Sequence, residues 1–156
     1  MVHRTYYGLG NAEAAVREFD SLQPYVRDLL GLQAECPQLG PDDMAVGIAL
    51  DALQTAAYHF TRRRYFYREL GEARAERSGA NGRLADRAEA IAAFKALAPY
   101  NDRLRALQGR CRPFGRDYYA LDIARQGLES AAFHFTREAA FYGAKSDSAG
   151  PIRPDF

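Results

Sequence analysis

The stretch AAYHFTRRRYFY at residues 56–67 organises the chain, because it returns as AAFHFTREAAFY at residues 131–142. Eight of the twelve positions are identical, and His59 and His134 occupy the same position in the two stretches. Sliding the chain against itself by 75 residues aligns residues 9–67 with residues 84–142 without a gap, and about two-fifths of these positions match. This self-similarity predicts an internal duplication of one structural unit.

Each unit has the pattern of two helices joined by a short loop. In the first unit the apolar residues of the first helix follow helical spacing, and they are Ala15, Phe19, Leu22, Tyr25, Val26, Leu29 and Leu32. We expect this helix to run from about Asn11 to Glu35. The second helix is expected to begin at a cap formed by Asp42 or Asp43 and to continue to about Leu70.

Pro24 and Pro99 lie inside the first helix of their units. Proline lacks the N–H of one intrahelical hydrogen bond and clashes with the preceding turn, so each helix is expected to kink or restart there. The kinks should leave the carbonyls near Asp20 and Lys95 short of partners.

Two helix pairs with short internal loops predict an all-α fold, a four-helix up-down-up-down bundle built from a duplicated helix hairpin. We expect one domain over residues 1–156, with units at about 9–70 and 84–144, a polar linker at 71–82 and a flexible tail at 145–156. A pseudo-twofold axis along the bundle would place His59 and His134 on parallel helices at one level.

The composition is that of a globular protein, with 47% hydrophobic and 26% charged residues. A formal net charge of +1 argues against nucleic acid as a partner. No apolar run fits a signal peptide or a membrane span, so we expect no membrane association and a cytoplasmic location. The two cysteines, Cys36 and Cys111, are expected to be buried free thiols in a reducing compartment.

The paired histidines are the main candidate site. Imidazoles at one level of a bundle could ligate a metal ion or a haem, and Glu138, one turn after His134, could add a carboxylate. The chain has no metal-binding or haem-attachment motif, so no cofactor is assigned and none is excluded. The alternative is that each histidine is a half-buried packing residue bonded to a neighbouring carbonyl. Phosphorylation would need small, cationic surroundings, whereas Phe60 and Phe135 adjoin the histidines.

Other candidate ligand-binding residues are Arg63, Tyr67 and Tyr142. Arg63 is the counterpart of Glu138, so the two opposite charges could form a salt bridge across the bundle or, alternatively, Arg63 and its neighbours could bind an anion. A wide apolar flank on the second helices carries the candidate interface residues Ile48, Phe66, Ile123 and Phe141. This flank should either pack on a neighbouring helix or meet another subunit.

No catalytic residues are assigned, because no spacing demands a hydrolytic triad. The function that we expect is a non-enzymatic interaction or ligand-binding module that forms a homodimer or binds another protein. The alternative is a site in the bundle core that uses His59 and His134 to bind a metal ion or a hydrophobic small molecule. Such a site could be binding or enzymatic.

Overall fold

In the computed structural model, which describes residues 6–72 and 82–143, the chain is helical. Those ranges contain seven α-helices and no strand. The expected tail at 145–156 and most of the expected linker lie outside the described residues. The helices are α1 (Ala12–Asp20), α2 (Gln23–Ala34), α3 (Pro41–Thr61), α4 (Arg68–Glu72), α5 (Arg87–Lys95), α6 (Ala98–Gln108) and α7 (Arg116–Thr136), and a 3-10 turn at Arg83–Ala85 precedes α5.

The expected kink in the first helix of each unit is a complete break. α1 ends at Asp20 and α2 begins at Gln23, with Pro24 in the first turn of α2, where a missing N–H breaks no helical bond. α5 and α6 are separated in the same way, with Pro99 in the first turn of α6.

A tyrosine hydroxyl binds a backbone carbonyl at each break. Tyr67 Oη donates to the carbonyl of Phe19 at 2.6 Å, and Tyr142 Oη donates to that of Phe94 at 2.7 Å. These carbonyls lie one residue before Asp20 and Lys95, where the sequence predicts a shortage of helical partners. Burial raises the pKa of both phenols well above its usual range.

The prediction that the second helix continues to about Leu70 is wrong. α3 ends at Thr61, whose hydroxyl donates to the carbonyl of Ala57 at 2.7 Å and accepts the N–H of Arg63 at 3.1 Å. Arg62 follows with a left-handed backbone at φ 63°. Thr136 ends α7 in the same manner. The threonine hydroxyl replaces the next helical hydrogen bond, so the chain turns without a glycine.

The predicted caps of α3 are also wrong. The helix begins at Pro41, after Gly40 in the N-cap position. The carboxylate of Asp43 instead reaches back to the N–H of Leu39 at 2.8 Å. Asp42 is directed away from its own helix, toward α7.

α3 and α7 are antiparallel, contrary to the expectation that they run parallel. Asp42 at the start of α3 lies 2.7 Å from His134 at the end of α7, and His59 at the end of α3 lies 2.8 Å from Asp117 at the start of α7. The two pairs are equivalent, because Asp117 is the counterpart of Asp42 and His134 is the counterpart of His59, each 75 positions along the chain. The up-down-up-down order, with its axis along the helices, is therefore wrong, since self-similarity fixes the shape of each half but not how the halves meet.

Among the described helices, the most extensive contact is between α3 and α7. A Cβ atom added to Gly127 would lie 2.6 Å from the Cβ atom of its counterpart Ala52, so the two helices cross closely at this point. α1 and α2 pack on α3, whereas α5 and α6 pack on α7. The rings of Tyr25 and Tyr100, another pair of counterparts, stack 5.2 Å apart between α2 and α6.

Both cysteines are free and buried, as predicted. None of the helices in residues 6–72 and 82–143 is long and apolar enough to cross a membrane.

Candidate binding sites

The two histidines lie at opposite ends of the α3–α7 pair. Asp42, which contacts His134, and His59 are seventeen residues apart on α3, or about 25 Å at the helical rise. The expectation that the imidazoles share one level is therefore wrong, and they cannot bind one metal ion together. The described part of the chain contains no group of three or more His, Cys, Asp or Glu residues that could hold a metal ion. A ligand role for either histidine alone stays a prediction.

Each histidine instead joins two helix termini. His59 is in the last turn of α3, where the helix dipole favours positive charge, and Asp117 is in the first turn of α7, where it favours negative charge. The ring of His59 also meets the ring of Phe60 edge-on, at 4.8 Å between centroids. The same contacts hold for His134 with Asp42 and with Phe135. All four polar side chains remain partly exposed, so the pairs are accessible to water.

The remaining predicted ligand-binding residues do not converge on one place. Glu138 lies 3.7 Å from Arg87 rather than pairing with Arg63, whose side chain is exposed. Tyr67 and Tyr142 bind the carbonyls at the helix breaks, one in each half of the chain.

The predicted interface residues divide into two groups. Phe66 and Phe141 follow the long helices and are partly buried against the core. Ile48 and Ile123, in contrast, are half exposed, at 51% and 50%. They lie beside the α3–α7 contact, since a Cβ atom on Gly127 would be 3.2 Å from the carbonyl of Ile48.

The exposed sides of α3 and α7 each carry three large apolar residues, and between them lie the exposed polar residues Asp51 and Thr55 on α3 and Gln126 and Ser130 on α7. We call this surface the outer face and define it by Met44, Ile48 and Tyr58 on α3 and Tyr119, Ile123 and Phe133 on α7. Each of these residues has its counterpart in the set. They lie opposite the buried stripe of their helices, represented by Leu53 and Leu128.

Arginines border the outer face unequally. The guanidinium groups of Arg62 and Arg64 lie 5.9 and 5.7 Å from the centre of the Tyr58 ring, within the range of a cation–π contact. The end of the face where α3 stops carries five exposed arginines, namely Arg62, Arg63, Arg64, Arg112 and Arg116. Their counterparts at the other end are Arg137, Glu138, Ala139, Pro37 and Pro41.

A third feature, which the sequence analysis missed, lies between α6 and α7. Polar residues form two facing rows there, and we call them the polar seam: Asn101, Arg105 and Gln108 on α6, with Asp122, Arg125 and Glu129 on α7. Their counterparts in the first half are Val26, Leu30 and Gln33, with Gly47, Leu50 and Gln54. Comparing the two halves position by position would have found the seam, because arginine replaces leucine twice within an apolar helical pattern.

The seam is only partly satisfied by its own hydrogen bonds. Arg125 Nη1 donates to the side-chain oxygen of Gln108 at 2.8 Å and lies 3.7 Å from Asp122. The amide nitrogen of Gln108 donates to the carbonyl of Tyr118 at 3.2 Å, and Glu129 accepts the N–H of Tyr142 at 3.1 Å.

Four buried polar atoms on α6 and α7 have no hydrogen-bond partner among the described residues. They are Tyr100 Oη, Asn101 Oδ1, Arg105 Nε and Arg125 Nε. Burial and, second to it, the guanidinium of Arg105 lower the pKa of Arg125, while Asp122 and Glu129 act in the opposite direction. Unpaired buried groups of this kind destabilise a fold, and two of them, on Arg105 and Arg125, line one cleft, which is therefore a candidate functional site.

Comparisons of the chain with protein-family models, with curated protein sequences and with solved structures found no match.

Proposed function

We propose that this protein is a non-enzymatic interaction module, a duplicated helix hairpin folded as a four-helix bundle, that self-associates through its outer face. The observation that carries the proposal is the row of half-exposed apolar residues along both long helices. The six residues that define the outer face are between 38% and 60% exposed. Six large apolar side chains exposed on one side of two adjacent helices, with polar residues between them, are typical of a protein interface.

The loops beside the outer face support the same role. Leu39 and Phe114 precede α3 and α7, are 82% and 71% exposed, and have left-handed backbones at φ 64°. A large side chain in this conformation costs about 1 kcal/mol, and folding gains little from one that stays in water. Local strain combined with apolar exposure favours a binding role for these two residues.

A second copy of the chain fits this surface better than an unrelated partner. An isologous dimer pairs one surface with the same surface of a second copy, so both copies would contribute the same six apolar residues. The 21-residue helices are about 30 Å long, and two of them side by side are about 20 Å wide. The resulting footprint of roughly 600 Å² is on the scale of the about 800 Å² that each partner buries in a standard interface.

The charge distribution favours one orientation of the two copies. If both arginine-rich ends lay together, ten exposed arginines would repel one another across the interface. An antiparallel arrangement places the arginine-rich end of one copy, with Arg62 and Arg116, beside the end of the other where Glu138 and three uncharged residues occupy four of the five counterpart positions. We therefore expect the antiparallel dimer.

The test is the double variant Ile48→Asp/Ile123→Asp. Two carboxylates at the centre of the face should convert the dimer to a monomer in light scattering, while circular dichroism stays helical. The matched control is Ala88→Asp/Ala106→Asp, which adds the same charge at exposed positions on α5 and α6 and should leave the dimer intact. An unchanged mass of the Ile48→Asp/Ile123→Asp variant would refute the proposed interface.

A further inference from the structure

One hydrogen bond between the two seam helices is the same in both halves of the chain. Gln33 donates to the carbonyl of Asp43 at 3.3 Å, and its counterpart Gln108 donates to that of Tyr118 at 3.2 Å. Around this shared contact the first half uses Leu30, which is 8% exposed and belongs to the core. Arginine at the counterpart of Leu30 is therefore not required for packing one helix on the other.

Arg105 carries a charge that has no contact partner in the part of the chain that the structure describes. Among the described residues, the side chain of Arg105 forms no hydrogen bond and no ion pair, and its Nε atom is buried. The nearby carboxylates are engaged elsewhere, since Asp122 lies beside Arg125 and accepts from Gln108. Glu129 accepts the N–H of Tyr142. A guanidinium group offers five N–H donors, and the buried Nε–H of Arg105 lacks an acceptor among the described residues.

A cleft of about 480 Å³ opens at these arginines. The cleft is lined by two arginines, one carboxylate, two neutral polar side chains and one aromatic ring, which are Arg105, Arg125, Glu129, Gln126, Ser130 and Phe133. Its volume is within the range of small-molecule sites, and its lining combines donors with an aromatic surface. The corresponding cleft of the first half, lined by Leu30 and Leu50, measures about 230 Å³.

We propose that the cleft between α6 and α7 binds the oxyanion of a small organic molecule, a carboxylate or a phosphate, between Arg105 and Arg125, with the body of the molecule on Phe133. Guanidinium groups match both oxyanions through paired N–H donors. Occupation of the cleft would supply acceptors to the uncompensated donors of Arg105. It would also relieve the repulsion between the two arginines, because an anion between them attracts both.

The experiment is isothermal titration calorimetry in low salt with three probes: inorganic phosphate, phenyl phosphate and benzoate. Binding of phenyl phosphate or benzoate in one site per chain is expected, and which of them binds more tightly identifies the oxyanion. Tighter binding of phenyl phosphate than of inorganic phosphate would place the ring of the probe in the cleft. Absence of binding by all three probes at millimolar concentration would overturn the proposal.

The variants that test the site place the residues of the first half of the chain at the counterpart positions in the second half. Arg105→Leu/Arg125→Leu restores the residues found at Leu30 and Leu50 and should weaken binding by at least about ten- to a hundredfold, the effect of losing charged hydrogen bonds. Arg105→Lys keeps the charge but loses the paired donors, so it should weaken binding less. The control Arg17→Leu/Arg112→Leu removes two exposed arginines and should bind the probes as the unmodified chain does.

Two outcomes separate this proposal from the self-association proposal. The Ile48→Asp/Ile123→Asp variant keeps all seam residues and Phe133, which the outer face and the cleft share, so it should bind the probes at least as tightly as the unmodified chain. Retention of full affinity in Arg105→Leu/Arg125→Leu would overturn the proposed site. Equal loss in Arg17→Leu/Arg112→Leu would do the same, by showing that only overall charge matters. If Arg105→Leu/Arg125→Leu does not fold, Arg105→Gln replaces it with the same expectation.

Discussion

The two halves of this chain pack their helices in the same way but with different residues between them. In the first half α2 meets α3 through Leu30 and Leu50, and in the second half α6 meets α7 through Arg105 and Arg125. The helix breaks, the threonine helix ends and the tyrosine-bound carbonyls are nevertheless the same in both halves. The backbone geometry therefore does not depend on the seam, and the arginines need an explanation other than folding.

The largest effect that we expect is a loss of folding stability at high pH, and it comes from the buried tyrosines that the two halves share. Burial raises the pKa of Tyr67, Tyr100 and Tyr142 above its usual range and that of the Cys111 thiol to about 11. As the pH rises, the unfolded chain loses these protons first, at about pH 8.5 for the thiol and about pH 10 for the phenols. The folded state then binds more protons than the unfolded state, so stability falls with rising pH.

Each of these groups lowers the free energy of unfolding by about 1.4 kcal/mol per pH unit once it titrates in the unfolded chain, or about 4 kcal/mol per unit for the three phenols together. The decline should begin near pH 9 and steepen above pH 10 in urea titrations. Tyr67→Phe and Tyr142→Phe should each remove one group and flatten the decline equally. A free energy of unfolding that stays constant from pH 9 to pH 11 would contradict this description of the core.

Next in size is the exchange of seam residues between the halves. Leu30→Arg inserts a charge at an apolar, nearly buried site and should lower the free energy of unfolding by roughly 2–4 kcal/mol. The mirror change, Arg105→Leu, should raise it by about 1 kcal/mol in the absence of ligand, because it removes an uncompensated charge. Thermal unfolding in phosphate-free buffer measures both. If Arg105→Leu destabilised the chain as much as Leu30→Arg, the seam residues would serve to stabilise the fold rather than to bind a ligand.

A smaller effect tests the crossing of α3 and α7. Gly127→Ala should destabilise the fold by about 1–2 kcal/mol despite the better helix propensity of alanine, since the new Cβ atom would lie 2.6 Å from that of Ala52. Ala52→Gly added to this variant exchanges the two residues between the halves and should recover most of the loss. Urea denaturation of the single and double variants checks the coupling, and additive effects would argue against the contact.

The smallest effect concerns the ends of the long helices. Asp42→Asn and Asp117→Asn each remove the charge that faces a histidine, and both carboxylates are about half exposed. Solvent screening limits such pairs, so each change should cost less than about 1 kcal/mol, with equal values at the two ends. Thermal unfolding at neutral pH gives the comparison. A loss several times larger at one end would show that the two ends are not equivalent.

Much of the architecture follows from sequence periodicity and self-comparison. The helical stripes, the breaks beside Pro24 and Pro99 and the buried thiols each have a local signal in the residues. The relation between α3 and α7 has none, because a repeat describes one unit and is silent on whether its copies meet parallel or antiparallel. The end of α3 at Thr61 could not be predicted either, since neither glycine nor proline follows it and the helical apolar pattern continues to Tyr67.

The candidate sites were harder to predict than the fold. His59 and His134 repeat, but a retained residue can serve packing and electrostatics as well as binding. Arg105 and Arg125 do not repeat, because leucines occupy the counterpart positions. Within a chain that is similar to itself, the departures from similarity at apolar positions carry information that the matches do not.

The measurement that tests the proposed function most directly is the mass of the unmodified chain in solution, by light scattering at about 100 µM and physiological salt, a concentration at which a standard-size interface is occupied. Self-association through the outer face predicts a mass of about twice the 17.4 kDa of one chain. A mass of one chain under these conditions would contradict it and leave the outer face without a second copy as its partner.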